Sequence, residues 1–213
     1  MKELFTIFVS PESTFQRLKS SKLAWLTCMI VLMVLSCLVI YLQMPILEQT
    51  VLNGLKSNPQ LSSDSYDAVL AVSRITSYVM AAFSVALLMF LGGLLFMLLN
   101  LIVRGEAKYM QLVTVAAFAA LPGMINGILT GVLLKVANAQ TLTDISISLG
   151  AFVQDKGSFL YKALSVINPF GIWTLILYII GASVMMNRPK KQVAVWIIIF
   201  WLIISFGSLL LVK

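Results

Sequence analysis

Long uncharged apolar runs alternate with short polar segments along the whole chain. No Asp, Glu, Lys or Arg lies between Lys22 and Glu48, Arg74 and Arg104, Lys108 and Lys135, Lys162 and Arg188, or Lys191 and Lys213. Each gap holds the roughly 20 apolar residues that cross a hydrocarbon core about 30 Å thick. The runs are continuous rather than alternating, which selects helices over barrel strands. The pattern predicts five membrane-spanning helices near 24–42, 78–101, 112–134, 166–186 and 193–212, in one transmembrane domain over 1–213. The expected fold is all-α: a polytopic five-transmembrane-helix bundle with an amphipathic cytoplasmic N-terminal helix and short extracellular amphipathic helices.

The polar segments carry helical patterns of their own. In the leader, Ser10 and Pro11 read as an N-cap and first helical position, and Glu12 suits the positive end of the dipole. Phe15 and Leu18 share one side, flanked by Arg17 and Lys19. Three readings stand for this helix: lying on the cytoplasmic membrane face, packed beneath the bundle, or offered to a cytosolic partner. After the first span, Met44, Leu47, Val51 and Leu55 form a helical stripe that Asn58–Pro59 should end. Asp64 and Asp67 then suit the cap of a helix running into the second span. In the next outer loop Thr141 and Asp144 suggest a cap, with Leu142, Ile145, Leu149 and Phe152 on one face. The alternation of Ile145, Ile147 and Leu149 is a shorter, strand-like rival to that helix. Ser158 suits the cap of a further short helix holding Leu160 and Leu164. These outer segments read as covers over helix ends, as a lid, or as a docking surface.

Composition supports the bilayer as solvent. The chain has 213 residues, 60% of them hydrophobic and only 11% charged, more apolar surface than a soluble domain can hide. Charge then orients it. With the N-terminus inside, Lys2, Arg17, Lys19, Lys22, Arg104, Lys108, Arg188, Lys190 and Lys191 are cytoplasmic, while Lys56, Arg74, Lys135, Lys156, Lys162 and Lys213 lie outside. Short cytoplasmic loops favour such an excess of cations. The expectation is a multi-pass cell-membrane protein with a cytoplasmic N-terminus and an extracellular C-terminus. Arg17, Lys19, Lys22, Arg104, Lys108, Arg188, Lys190 and Lys191 should meet anionic headgroups at the membrane surface, each worth about 1 kcal/mol. Pro189 keeps the last inner turn tight. The net charge of +7 is thus topological and implies no nucleic-acid partner.

Chemistry is scarce. There is no histidine, the usual neutral-pH acid–base group and metal ligand. Cys28 and Cys37 fall on opposite faces of one helix, roughly 13 Å apart along its axis, so they neither bridge nor share a metal. No charge sits within a span, which argues against a proton relay or a charge-lined channel. No catalytic, cofactor or metal site is expected. What the spans do carry is a packing signal. Gly123, Gly127 and Gly131 recur at steps of four, with Ala119 one step earlier. Small residues let helix backbones approach in lipid. Pro122 should kink this span, and Asn126 beside it needs a partner. This face reads as an internal helix crossing, a self-association surface, or a groove for a lipid or peptide. Gly92 and Gly93 offer a matching surface, and Asn100 reads as interfacial. Trp25, Trp196 and Trp201 read as anchors or packing residues, and Trp173 with Gly181 as one seam.

Three stretches resemble the Yip family in its bacterial, YknW-like branch. They are "FVSPESTFQRL" in the leader, "NLIVRGEAKYMQLVTVAAFAALP" with Gly105, Tyr109 and Pro122, and "FGIWTLILYIIGASV" with Trp173, Leu177 and Gly181. The resemblance implies five membrane helices with a cytosolic N-terminus. Eukaryotic members look like adaptors in vesicle traffic around Ypt/Rab GTPases. Some bacterial members look like helpers of ABC exporters linked to antimicrobial-peptide resistance. Two functions follow as expectations. One is a non-enzymatic adaptor that binds another membrane protein, such as ABC transporter subunits, amid membrane lipids and with homo-oligomerisation open. The other is a carrier or flippase for a hydrophobic or lipid-like molecule.

Overall fold

The computed structural model describes residues 2–57 and 65–211. Among these residues all regular structure is helical. Two short helices, α1 (Glu3–Val9) and α2 (Pro11–Leu18), precede five spans. These are α3 (Ala24–Lys56), α4 (Tyr66–Ile102), the pair α5 (Tyr109–Ala119) and α6 (Leu121–Val136), then, after α7 (Phe159–Ser165), α8 (Pro169–Met186) and α9 (Lys190–Leu211). All five spans expected from the charge gaps are present. One face of the bundle carries the leader and the turns at 103–108 and 187–189, the other the loops at the far ends of α3, α6 and α8. We call them the leader face and the loop face.

The third span is the centre of the bundle. It packs on α3, α4 and α8, whereas α9 leans mainly on α8. Every residue from Leu112 to Ala119 is buried. The span is broken at Ala120, just ahead of Pro122. Proline has no N–H to bond the carbonyl four residues back, and its ring crowds that carbonyl.

The first two spans are longer than a hydrocarbon core is thick. With 33 and 37 residues, they reach about 50 and 55 Å at ~1.5 Å per residue. The stripe of Met44, Leu47, Val51 and Leu55 is helical but is not a separate segment. It continues α3 straight through Pro45. An ion pair of 2.6 Å from Arg74 to Glu48 ties the projecting parts of α3 and α4 together. Asn58, Pro59 and Asp64, expected to end one helix and cap the next, lie outside the described residues, as do Val212 and Lys213.

The second outer loop departs from expectation. No helix forms over Thr141–Phe152 beyond a single 3-10 turn at Leu149–Phe152. The Asp144 carboxylate accepts from the Thr141 hydroxyl at 2.6 Å and from the amides of Gln140 and Thr141 at 2.8 and 3.0 Å. The expected capping pair thereby closes a tight turn on itself, as Asp and Thr side chains do when they compete with a helix. Ser158 does cap α7, accepting from the Tyr161 amide at 3.1 Å.

Candidate functional sites: a leader-face junction and an intramembrane groove

The leader decides the first site. Ser10 and Pro11 start α2 in the expected place, yet α2 does not lie free on a membrane surface. Thr14, Phe15 and Leu18 are buried, and α2 packs on α8. Phe15 points at Gly181, Phe8 stands edge-on to Trp173 with ring centres 5.6 Å apart, and Ile7 is fully buried. The cause is polar as well as apolar. The Thr14 hydroxyl bonds the Ser10 carbonyl at 2.8 Å and the Thr6 hydroxyl at 2.9 Å, and Arg17 donates to both threonines. This fixes α1 against α2, so the pair docks as a unit.

Of the eight cations expected at headgroups, Arg17, Lys19, Arg188 and Lys190 also have partners within the protein. Lys19 donates to the Val184 carbonyl at 2.8 Å and the Asn187 side chain at 2.6 Å. Lys190 pairs with Glu12 at 2.6 Å. Arg188 donates to the Arg104 carbonyl, and Asn187 donates to Glu106 at 2.9 Å. Of the eight, Arg17, Lys22, Arg104, Lys108, Lys190 and Lys191 remain exposed. Asn187 ends α8 in the left-handed region, φ 53, which asparagine tolerates better than most residues. That turn aims its side chain at both Lys19 and Glu106.

Asn100, read as interfacial from the sequence, is buried. Its amide clamps Ala107 in both directions, accepting from the Ala107 amide and donating to the Ala107 carbonyl, each at 3.3 Å. Gly105 sits between Asn100 and Met186, and a Cβ there would collide with the Asn100 side chain. The Glu106 amide reaches the Met186 carbonyl at 3.1 Å. Leader, 103–108 turn and α8 terminus are therefore one cross-linked junction. No sequence pattern signals these long-range pairs, because each partner lies in a different polar segment.

The small residues separate into different contacts. Gly127 and Gly131 face α3, where added Cβ atoms would lie 3.1 Å from Val39 and 2.9 Å from Leu42. Gly92 and Gly93 instead receive α5, at Ala116 and Val113. The two glycine sets are not partners of each other. Ala119 is fully buried and Pro122 is buried. Gly123 faces open space.

That space is the second site. A groove of about 740 Å³ runs between α3, α4 and the broken span, past Ser36, Ser84, Gly92, Gly123 and Tyr178. It opens sideways past the exposed leucines 88, 91 and 95. A smaller pocket of about 200 Å³ shares Gly123 and Tyr178 with it and reaches Asn168 and Thr174 at the loop-face end of α8. Asn126 lines this pocket. Its side-chain oxygen is buried without a hydrogen-bond partner. Trp201, read as an anchor or packing residue, also borders the pocket.

The family model described as the Yip1 domain matches residues 5–212. No curated protein and no solved structure matches the chain.

Proposed function

The chain belongs to the Yip1-domain family, as a multi-pass membrane protein, and from that premise we propose that it is a non-enzymatic adaptor that grips another integral membrane protein. The observation that carries this reading is the outer face of α4. Val72, Ile75, Val79, Phe83, Leu87 and Leu91 follow at helical spacing, all exposed, and the apolar stripe continues to Ile102. From Val72 to Ile102 it runs about 45 Å, some 15 Å more than a hydrocarbon core covers. Lipid tails cannot cover the excess of an upright helix. A membrane-embedded partner whose helices also project can, because its contact would continue from the lipid-facing part of the same stripe. Such contiguous exposed apolar surface marks interaction sites in general.

In this reading the leader face is cytoplasmic and the projecting α3–α4 pair lies outside the cell. The resemblance to exporter helpers suggests ABC exporter subunits as the partner. The absence of histidine fits a role of grip rather than turnover. The test is extraction from native membranes in mild detergent. A stoichiometric polytopic partner should copurify with the unaltered chain and be lost with Ile75→Lys and Val79→Lys. A chain that elutes alone, or only with copies of itself, overturns the adaptor reading.

A further inference from the structure

We infer that the groove and its side pocket bind one uncharged amphiphile, with a hydroxyl head beside Asn126 and a hydrocarbon chain threaded past Gly123 into the bundle. This stands apart from the adaptor reading: Leu91 borders both surfaces, but Ile75 and Val79, on which the adaptor test rests, do not line the groove. Three observations carry it. First, size: about 740 Å³ falls within the roughly 300–1,000 Å³ typical of small-molecule sites. Second, polarity is graded. The large groove is walled mostly by aliphatic side chains, whereas the small pocket brings Asn126, Asn168, Thr174 and Tyr178 together. It does so at the end of α8 where a membrane-bound head group would sit. Third, charge: no Asp, Glu, Lys or Arg lines either space. A phosphate or carboxylate head would be desolvated without a counter-ion there, at a prohibitive cost, so the head is neutral.

The orphan oxygen of Asn126 specifies the head further. A buried acceptor with no donor costs stability that a hydrogen bond would recover. A ligand hydroxyl in the pocket supplies that donor once the amide turns about its last torsion. Gly123 and Tyr178 line both spaces. A Cβ on Gly123 would meet nothing within 4 Å, which leaves room for a chain to pass from head pocket to tail groove at the break in the third span.

The experiment uses the full chain in phosphatidylcholine nanodiscs with photoactivatable probes: a monoacylglycerol, a polyprenol, and phosphatidylcholine itself. The acylglycerol or polyprenol probe should label α6 and α8 peptides saturably, and whichever labels identifies the chain type. Gly123→Phe should abolish that labelling, because the ring fills the passage. Asn126→Leu should weaken it roughly three- to tenfold, the worth of one net hydrogen bond. Melting temperatures of both variants show whether they are folded. If either is not, competition of the probe by unlabelled neutral amphiphile but not by phosphatidylcholine decides the matter. Equal labelling by phosphatidylcholine, spread over the outer surface and indifferent to Gly123→Phe, would mean bulk lipid only and overturn the inference.

Discussion

Phe15 in the leader and Gly181 in the fourth span are in direct contact although 166 positions separate them. A Cβ placed on Gly181 would lie 2.7 Å from Phe15 Cζ and 2.8 Å from Val115 Cγ1. Phe15 itself is fully buried. The leader is thus a structural part of the bundle, held by a ring that fits only because the opposing residue has no side chain.

The contact gives a first expectation. Gly181→Ala should destabilise the protein by about 1–3 kcal/mol, the usual cost of overpacking. Phe15→Ala should cost about 3–5 kcal/mol through the cavity it leaves. Because the two residues touch, the double variant Phe15→Ala/Gly181→Ala should cost less than the sum. Thermal unfolding in detergent measures all three. Additive losses would mean that the leader does not dock where the structure puts it.

The glycines of the third span should behave unequally. Gly127→Leu and Gly131→Leu should each lose about 1–3 kcal/mol, since both face α3 at contact distance. Gly123→Ala should be nearly neutral in stability, because its Cβ meets nothing. Gly157→Leu in the loop should also be mild, the nearest group being the far end of the Asp155 side chain at 3.3 Å. A uniform response across the three span positions would contradict the geometry.

These glycines also mark how far the sequence can be read. Their spacing announces close packing, and the charge gaps announce five spans, because both signals are local and periodic. What each glycine packs against is not periodic. Gly92 and Gly93 suit Gly127 on composition alone, yet α5 occupies them, since the break at Ala120 turns the two halves of the span toward different neighbours. The leader was legible as an amphipathic helix, with packing beneath the bundle one of three readings, but the sequence could not choose among them, since the groove beside Gly181 exists only after the spans assemble. Thr141 and Asp144 misled for a different reason: the same pair can cap a helix or close a turn, and here the Asp144 carboxylate gathers the nearby Thr141 and Gln140 donors.

The Asn100 clamp should be worth more than its exposed neighbours. Asn100→Ala leaves the Ala107 amide and carbonyl without their partner, a loss of about 1–3 kcal/mol. It should also open the turn that contains Arg104 and Lys108. Limited trypsin cleavage at those two residues reads this directly, and cleavage should rise markedly in the variant. By contrast Lys190→Ala removes only an exposed ion pair with Glu12, worth no more than about 1 kcal/mol. Equal trypsin sensitivity of the two variants would place the strength of the junction elsewhere.

The loop-face turn offers a pH test. The hydroxyl of Thr141, followed by the amides of Thr141 and Gln140, holds the Asp144 carboxyl at about 2, below its ordinary value of 3.8. A depressed folded pKa means that the unfolded loop takes up a proton first as pH falls. The turn's contribution is therefore in place above about pH 4 and disappears as pH drops through about 2. Hydrogen exchange at the Gln140 and Thr141 amides should stay protected at pH 3 in the unaltered chain. In Asp144→Asn the protection should be weaker at neutral pH and should not vary across this acid range, because the titrating group is gone. The carboxyl midpoint, followed by side-chain carbon resonance in detergent micelles, is the sharper measurement. A midpoint near 3.8 would mean that Asp144 is not gathering those three donors, and the turn between α6 and the 3-10 helix would have to be held by something else.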